Sequence, residues 1–165
     1  MPETIGRLQS SLAIVRWAAQ QVPDRWTHAI PDYYASDAWS VARNLAHMTI
    51  YEEGISAPVL RALAAGGDGS GAIRSPREEF LTGAEALSEE SVADILRRLM
   101  VCREEQIEVI SGYEDERFNA PATILWATGQ HGTPPHSAGW VATKTFQHTW
   151  EHGNAILRMA LFAPP

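Results

Sequence analysis

Two histidines, His148 and His152, lie four residues apart in a segment whose sequence is typical of a helix. On an α-helix, residues i and i+4 lie on one face, one turn apart, so these two imidazoles can share a metal ion. A third ligand would have to come from another helix, and His47 is the best candidate. Three imidazoles around a divalent metal leave one coordination position open, which is the pattern of a catalytic site.

The chemistry of such a site follows from the ion that it would hold. A divalent metal lowers the pKa of a bound water or thiol and stabilises negative charge on a reacting atom. Zn²⁺ fits three imidazoles, and Ni²⁺ or Fe²⁺ fits them nearly as well. The His-Glu-x-x-His pattern of zinc proteases is absent, because Glu151 directly precedes the second histidine. The alternative interpretation is a set of buried histidines that are satisfied by hydrogen bonds.

Four helices are predicted to position these histidines. In each, apolar residues recur at spacings of three and four, which marks one helical face, and no segment alternates as a strand would. The predicted helices cover residues 4–22, 40–65, 88–111 and 137–161. Four helices with two long connections predict an all-α protein, a four-helix bundle, formed as a single domain over residues 1–165.

The second predicted helix places a carboxylate close to the candidate ligands. Ser40 is a good N-cap, and His47 lies on the flank of the apolar face while Glu52 lies near its centre. A carboxylate in that position needs a partner. Glu52 therefore either orients a metal-bound histidine, as a candidate catalytic group, or pairs with an arginine. Gly54 and Pro58 predict a kink or an end in this helix.

The connecting segments hold the remaining candidate groups. The glycine-rich run 66–71 lacks the Gly-Lys-Ser/Thr that phosphate-binding loops carry, so it is interpreted as an exposed crossover. His28, His131 and His136 are expected in loops, and the long segment 113–136 is of the kind that is often functional. Cys102 lies on the apolar stripe of the third helix and is interpreted as a small buried hydrophobe.

Composition excludes several classes of protein. The net charge of −7, without a run of Lys or Arg, argues against nucleic acid as a partner. The sequence has no run of 18 or more consecutive apolar residues, so no membrane span is predicted. Residues 1–5 do not resemble a signal peptide, and a cytoplasmic location is therefore expected. The single cysteine rules out an intramolecular disulfide.

Two short motifs resemble those of the DinB-like, or damage-inducible, metalloprotein bundles. The first is the segment 39–48, Trp-Ser-Val-Ala-Arg-Asn-Leu-Ala-His-Met, and the second is the segment 148–154, His-Thr-Trp-Glu-His-Gly-Asn. Members of that family typically show Trp-Ser at the start of helix 2, Leu-x-His-Leu, and His-x-x-x-His-x-Gln on the last helix. Asn154 stands where glutamine is usual, and the loop 119–136 has no match, so substrate contacts are not carried over.

The resemblance implies that His47, His148 and His152 bind a divalent metal within an up-down-down-up bundle. The family includes thiol-dependent S-transferases and mycothiol-dependent maleylpyruvate isomerases. The expected function is therefore a metal-dependent enzyme that activates a low-molecular-weight thiol against an electrophilic small molecule. The alternatives are a hydrolase that uses metal-bound hydroxide and a non-catalytic stress-response binding module.

A second apolar stripe on the last helix predicts a homodimer, which the resemblance also implies. The stripe lies opposite the histidines and consists of Phe146, Trp150, Leu157 and Leu161, with Gly153 allowing close approach. Because a helix that is apolar on two sides must cover both, the second side faces either a partner helix or the 119–136 loop.

Overall fold

The computed structural model describes residues 1–31, 38–67, 77–122 and 136–162, and the predicted all-α class is confirmed in these ranges. Among the described helices, none has the length and apolar character that crossing a bilayer would require. In chain order the helices are α1 (Pro2–Gln21), α2 (Val41–Tyr51), α3 (Ala57–Ala64), α4 (Arg77–Leu87), α5 (Val92–Ser111), α6 (Asp115–Asn119) and α7 (Ala138–Phe162).

The helices α2 and α3 form one continuous segment that is joined by a π turn, Glu52–Ser56. The segment begins at the predicted N-cap, where the Ser40 hydroxyl accepts a hydrogen bond from the backbone N–H of Arg43 at 3.2 Å. Pro58 has no N–H to donate to the carbonyl of Gly54, so the regular pattern is interrupted there. The predicted kink is thus a wide turn that the helix passes through before ending at Ala64.

Four long helical segments supply the core: α1, the α2–α3 segment, α5 and α7. The helix α1 packs on α5 and α7, and α2 packs on the same two helices. Fully buried apolar side chains fill the space between them, including Leu8, Leu45, Leu60, Ile95, Leu99, Ile110 and Ile156. Gly153 lies against α1, because a Cβ there would lie 2.8 Å from Cγ2 of Val15. The close approach that Gly153 allows is therefore made with α1.

One helix start and two short helices differ from the sequence prediction. The helix α5 begins at Val92 and is capped by Ser91, whose hydroxyl accepts from the backbone N–H of Asp94 at 3.1 Å, so the start predicted at Ser88 was wrong. The helices α4 and α6 lie in connecting segments for which no helix was predicted. The predicted loop 66–71 is described only to Gly67, and the segment 123–135, which includes His131, lies outside the described residues.

Candidate metal site

Three histidines from two helices meet at the contact between α2 and α7. His47 lies on α2, and His148 and His152 lie on α7. One ring nitrogen from each histidine lies within 4.8 Å of the others, a spacing that could hold one metal ion. The ring centroid of His47 is 5.0 Å from that of His148 and 4.7 Å from that of His152. The sequence prediction that these three residues lie together is thus met in the fold.

Aromatic rings hold two of the imidazoles in place. The ring of Tyr51 stacks on His148, with centroids 4.1 Å apart, and the ring of Trp39 stacks on His152 at 5.5 Å. Trp39 also meets His47 edge to face at 5.1 Å. Trp39, two residues before the start of α2, thus contacts histidines on both helices of the cluster. Stacked rings restrict how an imidazole can turn about its side-chain bonds.

Asn44 is the polar residue that contacts His152, and the sequence interpretation did not assign it a role. The Oδ1 atom of Asn44 lies 2.8 Å from Nδ1 of His152. The side chain is 2% exposed, so its amide needs partners inside the protein. Asn44 lies three residues before His47 in the first motif, and an amide among the apolar residues of helix 2 was the signal that could have identified it.

Burial sets the protonation of the cluster. It lowers the pKa of His148 to about 3, with further lowering from His152, His47 and Arg103. The pKa of His152 is lowered to about 4, first by burial and then by His47. Both imidazoles are therefore neutral at pH 7 and offer a lone pair. Burial, with Glu52 and Glu151 adding to it, raises the pKa of Tyr51 to about 12, so its hydroxyl stays protonated.

Glu52 lies in a separate cluster that pairs it with an arginine. Its side chain is 1% exposed, and Arg103, which is fully buried, donates to both carboxylate oxygens, with Nε at 2.9 Å from Oε2. Gln106 Nε2 donates to Oε2 at 2.7 Å. Arg103 also donates to the hydroxyl of Thr149, the residue after His148, at 2.7 Å. Of the two predicted alternatives for Glu52, the arginine pair is present, and the catalytic role stays a prediction.

The other described candidates lie outside the histidine cluster. Nε2 of His28 is 3.0 Å from the carbonyl oxygen of Glu90. His136 forms an isolated backbone bridge with Ala122, and its ring stacks on Trp140 with centroids 3.7 Å apart. Cys102 is buried, as predicted, and burial raises the pKa of its thiol to about 12, which disfavours the reactive thiolate.

Comparison with known protein families identifies a match. The family model described as the DinB superfamily matches residues 7–156, a range that contains all three histidines of the cluster and Glu52. No curated protein and no solved structure matches the chain.

Proposed function

We propose a function for this chain, which belongs to the DinB superfamily. It is a metal-dependent enzyme in which His47, His148 and His152 hold one divalent ion. The observation that carries the proposal is the meeting of three imidazole nitrogens within 4.8 Å of one another. In a core of this kind, facing helices each supply ligands to a shared ion.

The donor set fits a transition metal of the imidazole-binding group. His148 and His152 are neutral at pH 7, as ligation requires, because their pKa values are lowered to about 3 and about 4. Packing several imidazoles together disfavours protons on any of them, whereas a cation shared by all three is favoured. Zn²⁺ is the first choice, and Ni²⁺ and Fe²⁺ are accepted by the same donors.

The proposed reaction is the addition of a low-molecular-weight thiol to an electrophilic small molecule, as in an S-transferase or an isomerase. When bound, the ion would supply a Lewis acid that lowers the pKa of a thiol or water in its open position. The residues of the chain would orient the ligands, because the ring of Trp39 stacks on His152 and the ring of Tyr51 stacks on His148. Tyr51, which keeps its proton, can donate a hydrogen bond to a negatively charged group.

The contacts of Glu52 favour positioning over general-base catalysis. Both carboxylate oxygens already accept hydrogen bonds, from Arg103 and Gln106, and a general base must have an oxygen within reach of the proton that it takes. As a positioning residue, Glu52 would act through Arg103 and Thr149 on the helix turn that carries His148.

Metal content tests the site directly. Protein purified without added metal is expected to contain close to one equivalent of a divalent metal per chain by elemental analysis. His47→Ala, His148→Ala and His152→Ala should lose it, and His28→Ala is the matched control, since His28 contacts the Glu90 carbonyl instead. Wild-type metal content in the three cluster variants, or no binding by the wild type at micromolar metal, would end the proposal.

The reaction class needs a second experiment. Metal-loaded protein is assayed with a panel of low-molecular-weight thiols and a chromogenic electrophile, with His148→Ala as the control that lacks a ligand. Thiol-dependent turnover that His148→Ala lacks supports the transferase or isomerase. Thiol-independent ester cleavage supports the hydrolase, and no turnover in a metal-loaded protein supports the binding module; either result would overturn the thiol chemistry.

The proposed architecture is a four-helix bundle in up-down-down-up order. Contacts between helices support this order. Arg7 lies over the Phe146 ring and Val15 lies against Gly153, as expected for parallel α1 and α7. Between α2 and α7, Asn44 contacts His152 and the later residue Tyr51 stacks on the earlier residue His148. This order is expected for antiparallel helices. The pairs Glu53–Arg98 and Ser56–Gln106 are those of parallel α2–α3 and α5.

A homodimer through the outer side of α1 and α7 is the proposed assembly. Trp150 (47% exposed) and Leu161 remain accessible on the predicted stripe of α7, and Ile14 and Trp17 (49% exposed) add apolar surface on α1. Ile14 and Trp17 are i, i+3 neighbours on α1, and Trp150 and Leu161, eleven residues apart, share one side of α7. Exposed apolar surface of this kind marks an interface, and a second copy presents the same surface.

Sedimentation of three proteins tests the dimer. The wild type is expected to sediment as a dimer at micromolar concentration, and Trp150→Glu as a monomer. Val101→Glu is the control, because Val101 is an exposed apolar residue (61%) on α5. A monomeric wild type would refute the dimer, and dimeric Trp150→Glu would place the interface elsewhere.

A further inference from the structure

Asn44 has one arrangement of its amide that satisfies every neighbouring group. Its Nδ2 atom lies 3.0 Å from the carbonyl oxygen of Trp39 and 3.0 Å from that of Ser40. Carbonyl oxygens only accept hydrogen bonds, and an amide NH₂ has two hydrogens to donate. The reversed amide would place an oxygen against two oxygens in a buried site. The NH₂ group therefore faces the two carbonyls, and Oδ1 faces His152.

This orientation determines which nitrogen of His152 carries the proton. Oδ1 of Asn44 can only accept, and it lies 2.8 Å from Nδ1 of His152. A hydrogen bond at that distance requires a proton on Nδ1. A neutral imidazole has a single N–H, so Nε2 then holds the lone pair.

We propose that Asn44 is the positioning residue of the cluster: it fixes His152 as the Nδ1–H tautomer and leaves Nε2 as the lone pair that His152 offers to a metal. The inference rests on the proposed function for its consequence, whereas the tautomer is a property of the metal-free protein. A hydrogen bond from the other ring nitrogen raises the basicity of a ligating imidazole and removes the cost of selecting the tautomer on binding.

The surrounding fold makes Asn44 a rigid support. Asn44 is 2% exposed and lies in the first turn of α2, and its NH₂ group holds the carbonyl of Trp39, whose ring stacks on His152. One side chain thus ties His152 to the start of the helix that carries His47. The arrangement also explains why a polar residue occupies the apolar face of α2.

The tautomer can be read in the wild-type protein without metal. A long-range ¹H–¹⁵N correlation spectrum, with His152 assigned by comparison with His152→Gln, is expected to show Nδ1 protonated and Nε2 bare at pH 7. A spectrum with the proton on Nε2 would overturn the proposal. This measurement stands even if the protein binds no metal, so the failure of the proposed function and the failure of this inference are distinguishable.

Zinc affinity tests the consequence, measured by competition with a chromogenic chelator. Asn44→Leu removes the acceptor at similar volume and is expected to weaken Zn²⁺ binding about 10- to 100-fold. Asn44→Asp keeps an oxygen on Nδ1 of His152, and as the protonated acid, which burial favours, it can still donate to one of the two carbonyls. We therefore expect it to bind Zn²⁺ more tightly than Asn44→Leu. Thr49→Val is the matched control, since Thr49 is equally buried on α2 and its hydroxyl donates to the Leu45 carbonyl.

Two outcomes of the affinity measurement would refute the positioning role. One is Asn44→Leu binding Zn²⁺ as tightly as the wild type and Thr49→Val. The other is Asn44→Asp binding no more tightly than Asn44→Leu, because the loss would then come from disturbed packing and not from the missing acceptor. Free energies of unfolding in chelator, measured for all three variants, separate altered stability from altered affinity.

Discussion

Two polar clusters lie inside this protein, and they are built on opposite chemistry. Glu52, Arg103 and Gln106 join the π turn to α5 with opposite charges and an amide that donates to the carboxylate. His47 and the two histidines of α7 join α2 to α7 with three side chains of one kind. The first cluster pairs each charge with its complement, whereas the second concentrates groups that accept a cation.

The difference teaches how to separate a structural cluster from a functional one. In the Glu52 cluster, hydrogen-bond donors and acceptors match, and no further group is needed for charge balance. In the histidine cluster, burial and mutual proximity lower the pKa values of His148 and His152. Both imidazoles therefore stay neutral at pH 7, and each keeps a lone pair that can bind a cation. A divalent ion satisfies such a set, and a perturbed cluster of this kind is a functional-site candidate.

The largest predicted effect is on stability, and it belongs to the Glu52 cluster. Glu52→Gln replaces a carboxylate with an amide whose NH₂ would face the donors of Arg103 and Gln106, and it leaves a buried guanidinium unpaired. We expect a loss of about 3–5 kcal/mol in the free energy of unfolding, measured by denaturant titration in chelator.

The neighbouring glutamate supplies the control. Glu53 pairs with Arg98 at 2.7 Å, but both side chains are about one-third exposed or more. Glu53→Gln is therefore expected to cost at most about 1 kcal/mol. Equal losses for the two variants would show that the buried pair has no special role in stability.

The second effect is stabilisation by metal, and it belongs to the histidine cluster. Free Zn²⁺ at about 100 times its Kd is expected to raise the free energy of unfolding of the wild type by about 2.7 kcal/mol. His148→Ala should gain almost nothing under the same conditions. Glu53→Gln should gain as much as the wild type, because Glu53 lies in neither cluster. An unchanged gain in His148→Ala would show that Zn²⁺ binds elsewhere.

Residues close in sequence were predicted best. The i, i+4 spacing of His148 and His152 and the N-cap at Ser40 required only local rules, and all three have the predicted neighbours in the fold. Glu52 was known to need a partner, but Arg103 is 51 residues away in the chain, and helical spacing does not give the contacts between distant helices.

Sequence analysis missed the change of apolar face between α2 and α3, which the π turn causes, and it missed the short helix α4. A π turn adds a residue, which rotates every later side chain of the segment, so the apolar face of α2 does not continue in phase into α3. The helix α4 was missed although Phe80, Ala84 and Leu87 have helical spacing, because the segment is short and follows a glycine-rich run. Its packing against the α2–α3 segment needs Gly54, because a Cβ there would overlap the Phe80 ring.

A third prediction concerns pH and separates the clusters again. The pKa values of His148 and His152 are about 3 and about 4 in the folded protein, against 6.5 in an unfolded chain. Between about pH 6.5 and pH 4, both histidines are therefore protonated in the unfolded chain but neutral in the folded protein. The metal-free protein should be fully stable above pH 6.5 and lose stability as the pH falls toward 4.

The expected loss at pH 5.5 is about 1 kcal/mol for each histidine, measured as the free energy of unfolding in chelator at pH 7 and pH 5.5. His148→Phe removes one of the two groups and should lose correspondingly less on acidification. His28→Ala, which changes a surface histidine, should behave as the wild type. A stability that is the same at both pH values would contradict the burial of neutral imidazoles.

The smallest predicted effect is on Zn²⁺ affinity, and it tests whether the two clusters are independent. The buried hydroxyl of Ser56 donates to Oε1 of Gln106 at 2.8 Å, and that contact directs the Gln106 amide so that its Nε2 donates to Glu52. Ser56→Ala leaves the Gln106 oxygen without this donor, at a cost of about 1–2 kcal/mol in the free energy of unfolding. Thr49→Val, whose lost hydroxyl donates only to a carbonyl within its own helix, should cost less.

Zinc affinity is the readout that distinguishes independent clusters from coupled ones. If the Glu52 cluster only holds the π turn against α5, Ser56→Ala should bind Zn²⁺ as tightly as the wild type. The contact of Arg103 with Thr149 is the route by which a disturbance could reach His148. A tenfold weaker affinity in Ser56→Ala, with Thr49→Val unchanged, would mean that this route is used. Glu52 would then act on the histidine cluster through Arg103, and the division between a structural and a functional cluster would fail.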